Sequence, residues 1–220
     1  MEIKNQKNLK VELLNMAPYF TNSVMVSYGG KCVIFDAWGH ANDWIKLLRD
    51  CDLELDAIYS THGHPDHIVA APGLAKSTGA KWFLDDKDFN LIGWGNDLLA
   101  NFGLPPMTCD IPPTKMPKSA QILNGSKMDI IPCPGHTRGG VAFYIRDINT
   151  FIVGDTLFAD SIGRTDLPGG DLYALKDSIA KIYQLNLPDD TTVIPGHGEI
   201  TTIAKMKTEN PFFRFHTKTR

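Results

Sequence analysis

Apolar runs bounded by glycine, proline and aspartate predict strands and helices that alternate along the chain, once through each half. Residues 24–28 and 32–35 read as two strands joined at Gly29-Gly30, because paired glycines supply the positive φ that tight hairpins demand. A helix follows over 42–50, with Asn42 or Asp43 as its cap and Trp44, Ile45, Leu47 and Leu48 spaced as a buried stripe. Residues 55–60 then read as a strand, 68–76 as a helix interrupted near Pro72-Gly73, 81–84 as a short strand and 85–102 as helix. The stretch 103–119 holds five of the chain's 14 prolines, which predicts an irregular excursion and a candidate for a loop over a functional site.

The second half predicts strands at 128–132, 141–146, 151–153 and 192–195 and a helix from about 171 to 186. No sequence repeat or low-complexity segment is visible. Two mixed halves, each burying one sheet against the other, predict an α/β (α+β in some schemes) four-layer sandwich with helices outside. At 220 residues this fits a single domain over 1–220.

Composition narrows the partners. A hydrophobic fraction of 43% and a charged fraction of 21% are ordinary for a globular chain. The net charge of -3, with no basic block, argues against nucleic acid as a partner. Cys32, Cys51, Cys109 and Cys133 form no Cys-x-x-Cys pair, so they read as reduced structural thiols. The polar first ten residues lack a signal-peptide pattern, and no run reaches the ~20 apolar residues of a membrane span, so the expectation is a cytoplasmic protein without a membrane partner. Phe212, Phe213 and Phe215 could pack the tail on its own domain or on a partner, which leaves the oligomeric state open.

The chemistry concentrates in His62-Gly63-His64-Pro65-Asp66-His67, where three of the seven histidines fall within six residues. His62 and His64 stand two apart after a strand, so in extended chain they face one way and converge on one ion. With Pro65 stiffening the turn and His67 opening a helix, the four side chains can splay toward two adjacent points. Three more segments share one form, a short apolar strand ending in a ligand type beside glycine: Gly135-His136, Gly154-Asp155 and Gly196-His197. Taken alone, Asp155 reads equally as a helix N-cap.

Together, Asp36, His62 to His67, His136, Asp155 and His197 resemble the successive motifs of the metallo-β-lactamase fold superfamily, over nearly the whole chain. Thr61-His62-Gly63-His64-Pro65-Asp66-His67, Gly135-His136-Thr137, Gly154-Asp155-Thr156-Leu157-Phe158 and Gly196-His197-Gly198 are most similar to its glyoxalase II (hydroxyacylglutathione hydrolase) branch. The resemblance implies an αββα sandwich. It also implies a first metal on His62, His64 and His136, a second on Asp66, His67 and His197, and Asp155 bridging both. Two zinc ions suit these donors, and iron or manganese accept the same set. Asp36 reads as a partner that orients a ligand histidine, and His40 stands outside the set.

The expected reaction is hydrolysis of a small-molecule thioester such as S-lactoylglutathione by a hydroxide bridging the two metals, with Asp66 as ligand and general base. Gly-x-Ser-x-Gly, the serine-esterase signature, is absent. Arg164 stands where the branch carries a basic substrate-binding residue, although Asp166 replaces the tyrosine expected two positions on; a loop salt bridge is the other reading of Arg164. About 20 residues follow His197, too few for the C-terminal helical domain of full-length glyoxalase II enzymes, so the chain resembles the short bacterial-type forms. The alternative from the same superfamily is a persulfide dioxygenase, which shares Gly-Arg-Thr-Asp and would hold one iron on His62, His136 and Asp155. A non-catalytic metal-binding relative is a third reading.

Overall fold

Two six-stranded sheets stack face to face, with helices on both outer surfaces. The computed structural model describes residues 8–101, 106–107 and 110–214. The first sheet contains β1 (Lys10–Met16), β2 (Thr21–Tyr28), β3 (Lys31–Phe35), β4 (Glu54–Tyr59), β5 (Lys81–Leu84) and β6 (Thr114–Lys115), in that spatial order. The second contains β7 (Ser119–Ile122), β8 (Ser126–Pro132), β9 (Val141–Ile145), β10 (Thr150–Gly154), β11 (Thr192–Pro195) and β12 (Thr201–Thr202), also in chain order. Parallel pairing occurs from β3 through β6 and between β10 and β11; the other neighbours are antiparallel.

Side chains alternate across a strand, so a strand buried on both faces contributes to two cores at once. Val33 and Phe35 enter the core between the sheets, whereas Ile34 faces the helices. On the other sheet Phe143, Ile145 and Ile152 join the central core, while Tyr144, Phe151 and Val153 face outward. The helices α1 (Ala41–Asp50), α2 (Pro65–Ile68), α3 (Ala71–Thr78) and α4 (Leu91–Asn101) accompany the first sheet, with Trp44, Leu48, Ile68, Leu74 and Leu99 in that outer core. The helices α5 (Leu172–Gln184), α6 (Ile203–Glu209) and α7 (Pro211–Arg214) cover the second through Leu175, Ile179, Ile182, Met206 and Phe213. The four layers are those expected.

Local expectations fail at identifiable points. His40 precedes α1 without a side-chain cap, and Asp43 lies inside its first turn, so neither Asn42 nor Asp43 caps it. Pro72 does not interrupt a helix: it sits in the first turn of α3, where its missing N–H costs nothing, and the break falls between α2 and α3. Residues 85–102 divide into a 3-10 turn at Asp86–Asp88 and α4, whose expected last residue, Phe102, lies outside the described residues. The described part of the proline-rich stretch is tied down at two points. Met107 joins the α-helical core with its N–H on Asn96, and β6 extends the first sheet.

Cys32 and Cys133 are buried free thiols, and burial pushes each up to about 12, so they pack as small apolar groups. Cys51 is free and exposed; Cys109 and Phe215 lie outside the described residues. Phe213 is buried against the second sheet's helices, whereas Phe212 is partly exposed. Among the described residues no helix is long and apolar enough to cross a membrane.

Phe143 sits in the central core, its ring 5.2 Å from that of Phe35 and 5.8 Å from that of Tyr59. Phe143→Ala opens a cavity between the two sheets, and the expected loss is about 3–5 kcal/mol. Urea unfolding checks this: the midpoint should fall at nearly constant slope, and a midpoint within error of the wild type would show that the sheets do not rely on this contact.

Candidate metal centre

The sheets place the donors along one common rim. β3 ends at Phe35, leading into Asp36, and β4 runs through Ser60 and Thr61 into His62. β10 delivers Asp155, and its parallel neighbour β11 delivers His197. Backbone hydrogen bonds stitch the loops together: Val141 N–H donates to the Thr61 carbonyl (2.8 Å), Gly196 N–H to Gly154 (2.9 Å) and Asn22 N–H to Gly196 (2.7 Å). A Cβ at position 196 would lie 2.0 Å from Asp155 Oδ1 and 2.8 Å from His67 Cε1, so glycine is required there for the strand to pass behind the site.

All seven donors expected from the sequence converge. His62, His64 and His136 form one group of facing atoms; Asp66, His67 and His197 form another; and His62, His67 and Asp155 form a third between them, each within 4.8 Å. In the first group His64 Nδ1 lies 3.1 Å from His62 Nε2 and 2.8 Å from His136 Nε2. In the second, Asp66 Oδ2 lies 3.1 Å from His197 Nε2 and 3.4 Å from His67 Nε2. Asp155 faces both, with Oδ2 3.5 Å from His136 Nε2 and 3.7 Å from His197 Nε2.

The tautomers follow from the partners behind the rings, which can only accept. His67 Nδ1–H donates to Asp36 Oδ2 (2.9 Å), His136 Nδ1–H to the Arg164 carbonyl (2.7 Å) and His197 Nδ1–H to the Tyr19 carbonyl (3.0 Å). The Thr61 hydroxyl donates to Asp36 Oδ2 (2.8 Å) and so accepts from His62 Nδ1–H (3.0 Å). Each of these four rings therefore turns its Nε2 inward. This outer hydrogen bonding is how metal-binding histidines are held. Asp36, which also accepts the Thr61 N–H at 2.7 Å, plays the orienting part expected of it. His40 is exposed and remote from the set.

The residues fit a pair of cations. Tetrahedral zinc with nitrogen ligands at ~2.0–2.1 Å brings those nitrogens to ~3.3 Å of one another, close to the spacing seen here. Asp155 Oδ1 is buried without a hydrogen-bond partner among the described residues and faces His67 Nε2 at 3.5 Å, so either a protonated His67 or a metal ion must supply the cation this carboxylate needs.

Electrostatics separate the two groups. Burial holds His62 well below its ordinary range and pushes His64 down to about 3, so these two are neutral imidazoles. Burial opposes charge on His67 and His197 too, but Asp66 and Asp155 outweigh it at both, with Asp36 adding at His67, which is raised by far the more. Asp66 is held well below the carboxylate range, the two imidazolium groups overcoming its burial.

One contributor escaped the sequence reading. Asp88, in the 3-10 turn before α4, is fully buried and accepts from Gly63 N–H (3.0 Å), the Thr137 hydroxyl (2.7 Å) and Gly139 N–H (2.6 Å). Burial raises its pKa against the pull of those three donors. Within Asp85-Asp86-Lys87-Asp88 nothing marks it out from its solvent-facing neighbours.

A cavity of about 450 Å³ opens onto the donors, walled by Tyr19, Trp94, Leu98 and Leu167, with Arg164 at its edge. Trp94 stands 5.5 Å from the His64 ring. Arg164 pairs with Asp166 through Nε and Nη2 at 2.7 and 2.6 Å, and both side chains are mostly exposed, at 61% and 66%. The salt bridge and the position at the cavity therefore coexist.

The family description "Metallo-beta-lactamase superfamily" matches residues 16–197. The chain belongs to the metallo-β-lactamase superfamily. Within it, hydroxyacylglutathione hydrolase GloC of Haemophilus influenzae is 34% identical over 209 residues, covering 93% of this chain and 98% of its own. Among solved structures, the BLEG-1 B3 metallo-beta-lactamase superposes with a TM-score of 0.82 at 32% identity, over 93% of this chain and 99% of that one. TTHA1623 in a di-iron-bound form superposes at 0.81 and 30% identity, over 92% and 100%.

Because His67 and His197 are raised, the metal-free protein carries protons on the second group that an ion must displace, whereas the buried His62 and His64 carry none. Adding Zn²⁺ to metal-free protein near pH 7 should release about one to two protons per chain, and affinity at the second group should fall as pH drops through the raised histidine range. An indicator-dye titration measures the release. Uptake of ions with no proton release would contradict this charge state.

Proposed function

We propose that this chain is a metal-dependent thioester hydrolase of the glyoxalase II type. Its first ion would rest on His62, His64 and His136, its second on Asp66, His67 and His197, with Asp155 reaching both. The observation that carries the reading is Asp155, a carboxylate held between two donor groups with one oxygen left without a hydrogen-bond partner among the described residues. The similarity to a hydroxyacylglutathione hydrolase over 98% of that enzyme's length supports the substrate class. The nitrogen-rich donors suit zinc; iron is the other metal to consider, given the di-iron-bound relative.

When bound, two such ions supply Lewis acidity toward a carbonyl and a water acidified to near neutral pH. The chain's own residues do the rest. Asp66, held ionised by its facing histidines, is a ready ligand, and its weak hold on protons makes ligation its first role and acceptance of the water's proton its second. Tyr19, Trp94, Leu98 and Leu167 give the thioester's carbon skeleton an apolar wall that keeps bulk water off the reacting bond. Arg164 offers a guanidinium to a substrate carboxylate. Exchanging Asp166 for that carboxylate is cheap, since the pair is exposed and screened by water. The Arg164 carbonyl also holds His136, so this loop serves substrate and ligand together.

Elemental analysis of protein purified without chelator should give about two metal ions per chain, with S-lactoylglutathione hydrolysed. About one iron per chain, together with oxygen consumption on glutathione persulfide, would replace this reading with the persulfide dioxygenase. Asp66→Ala should lose one ion and about 10²–10⁴-fold in kcat; full occupancy with full activity would remove Asp66 from its role. Arg164→Met should raise KM for a carboxylate-bearing thioester about threefold to tenfold at unchanged kcat, as expected for loss of uniform binding. An unchanged KM would leave Arg164 as the partner of Asp166 alone.

A further inference from the structure

Two buried aspartates stand behind the donors. Asp36 touches the second group directly, through Nδ1 of His67, and reaches the first only through Thr61, whose hydroxyl accepts from His62 Nδ1–H. Asp88 touches no donor ring. It receives the N–H of Gly63, which lies between His62 and His64, and both the Thr137 hydroxyl and the Gly139 N–H, which follow His136 directly. All three residues of the first group thus sit on two loops that meet at one carboxylate. The two loops are 74 residues apart in sequence between His62 and His136 (136 less 62).

We propose that Asp88 is the positioning residue of the first metal group: it sets the distance between the His62–His64 loop and the His136 loop, and so the affinity of that group for its ion. The inference rests on the two-metal reading above for its consequence, but its geometry stands on the protein alone. The fit at the carboxylate is tight. A Cβ at position 63 would lie 2.9 Å from the Asp88 carbonyl oxygen, and one at position 139 would lie 2.7 Å from the Asp88 carboxyl carbon. Both glycines are therefore places where the ligand loops close directly onto this residue. Three donors on two oxygens leave no room for an amide in its place: asparagine at 88 keeps one accepting oxygen and turns an NH₂ toward donors that need an acceptor. Because α4 follows within three residues, Asp88 is anchored in regular structure and does not drift with the loops.

The test compares Asp88→Asn with Asp36→Asn in a competitive Zn²⁺ titration against a chromophoric chelator, with thermal unfolding alongside. Wild type should bind two ions. Asp88→Asn should weaken one of them about 10–100-fold, the range found for loss of outer-shell partners, and leave the other unchanged. Asp36→Asn should weaken the second group's ion more than the first's, because Asp36 meets His67 directly and His62 only through Thr61. Asp66→Ala, which lacks the second group's carboxylate, should still bind the ion that Asp88→Asn weakens. In metal-free protein, amide exchange at Gly63 and Gly139 should accelerate in Asp88→Asn and stay slow in Asp36→Asn. The proposal fails if Asp88→Asn leaves both affinities unchanged, weakens both equally, or leaves those two amides as protected as in wild type. Should Asp88→Asn not fold, Thr137→Val removes a single donor and should weaken the same ion by a smaller factor; no change there would also count against it. A wild type that binds no ion refutes the two-metal reading, while the exchange measurement still decides whether Asp88 holds the loops.

Discussion

Nitrogen and oxygen atoms directed at one another across about 3 Å repel unless a proton or a cation stands between them, and a buried site has little water to soften that repulsion. Five imidazoles and two carboxylates are nonetheless brought to this separation at the rim of the sandwich. What makes it tolerable is the hydrogen bonding behind them: acceptors at Asp36, Thr61, Tyr19 and Arg164 take the far proton of four rings and fix which nitrogen turns inward. Everything else in the structure serves to put those acceptors in place. The stacked sheets bring Thr61 and Asp36 to one end, the turn before β2 brings Tyr19, and the loop before α5 brings Arg164.

The same requirement explains why two different electrostatic solutions coexist a few ångströms apart. At His62 and His64 burial decides, and these imidazoles are neutral. Around the second group Asp66 and Asp155 face His67 and His197, and Asp36 backs His67, so protons stand where a cation would and Asp66 stays ionised. Protons and metal thus compete at one group and not at the other. A pair of ions with unequal sensitivity to acid follows from carboxylate placement alone.

Much of this was legible in the sequence because the relevant signals are local and periodic. Val33-Ile34-Phe35 and Phe143-Tyr144-Ile145 are continuous apolar runs, and such runs belong to strands buried on both faces, which is what places helices outside both sheets. The donors were legible because three of them end strands beside glycine and the other four crowd into the six residues from His62 to His67. What was not legible depends on long-range contact. β1 and β7 are amphipathic at best and owe their strand form to a neighbour's edge. Pro72 reads the same as a helix breaker or a helix starter until the preceding turn is known. The proline-rich stretch signals irregular backbone, but nothing in it says that Met107 will be drawn into the core under α4.

Asp88 is the sharpest case. Its chemistry is ordinary, a carboxylate at the start of a helix among other acidic residues, and the usual reading of such a residue is a solvated N-terminal charge. Its role arises only where Gly63 and Gly139, remote from it and from each other in sequence, close onto its two oxygens. Gly63 sits between two histidines and Gly139 three residues after a third, so both are readily taken as room for the metal. Their packing against Asp88 gives them a second reason to be glycine: a side chain at either would push the carboxylate away from the loops it joins. The smallest residues of the ligand motifs are therefore shaped by a group outside the motifs, and a search confined to metal-binding residue types passes over it.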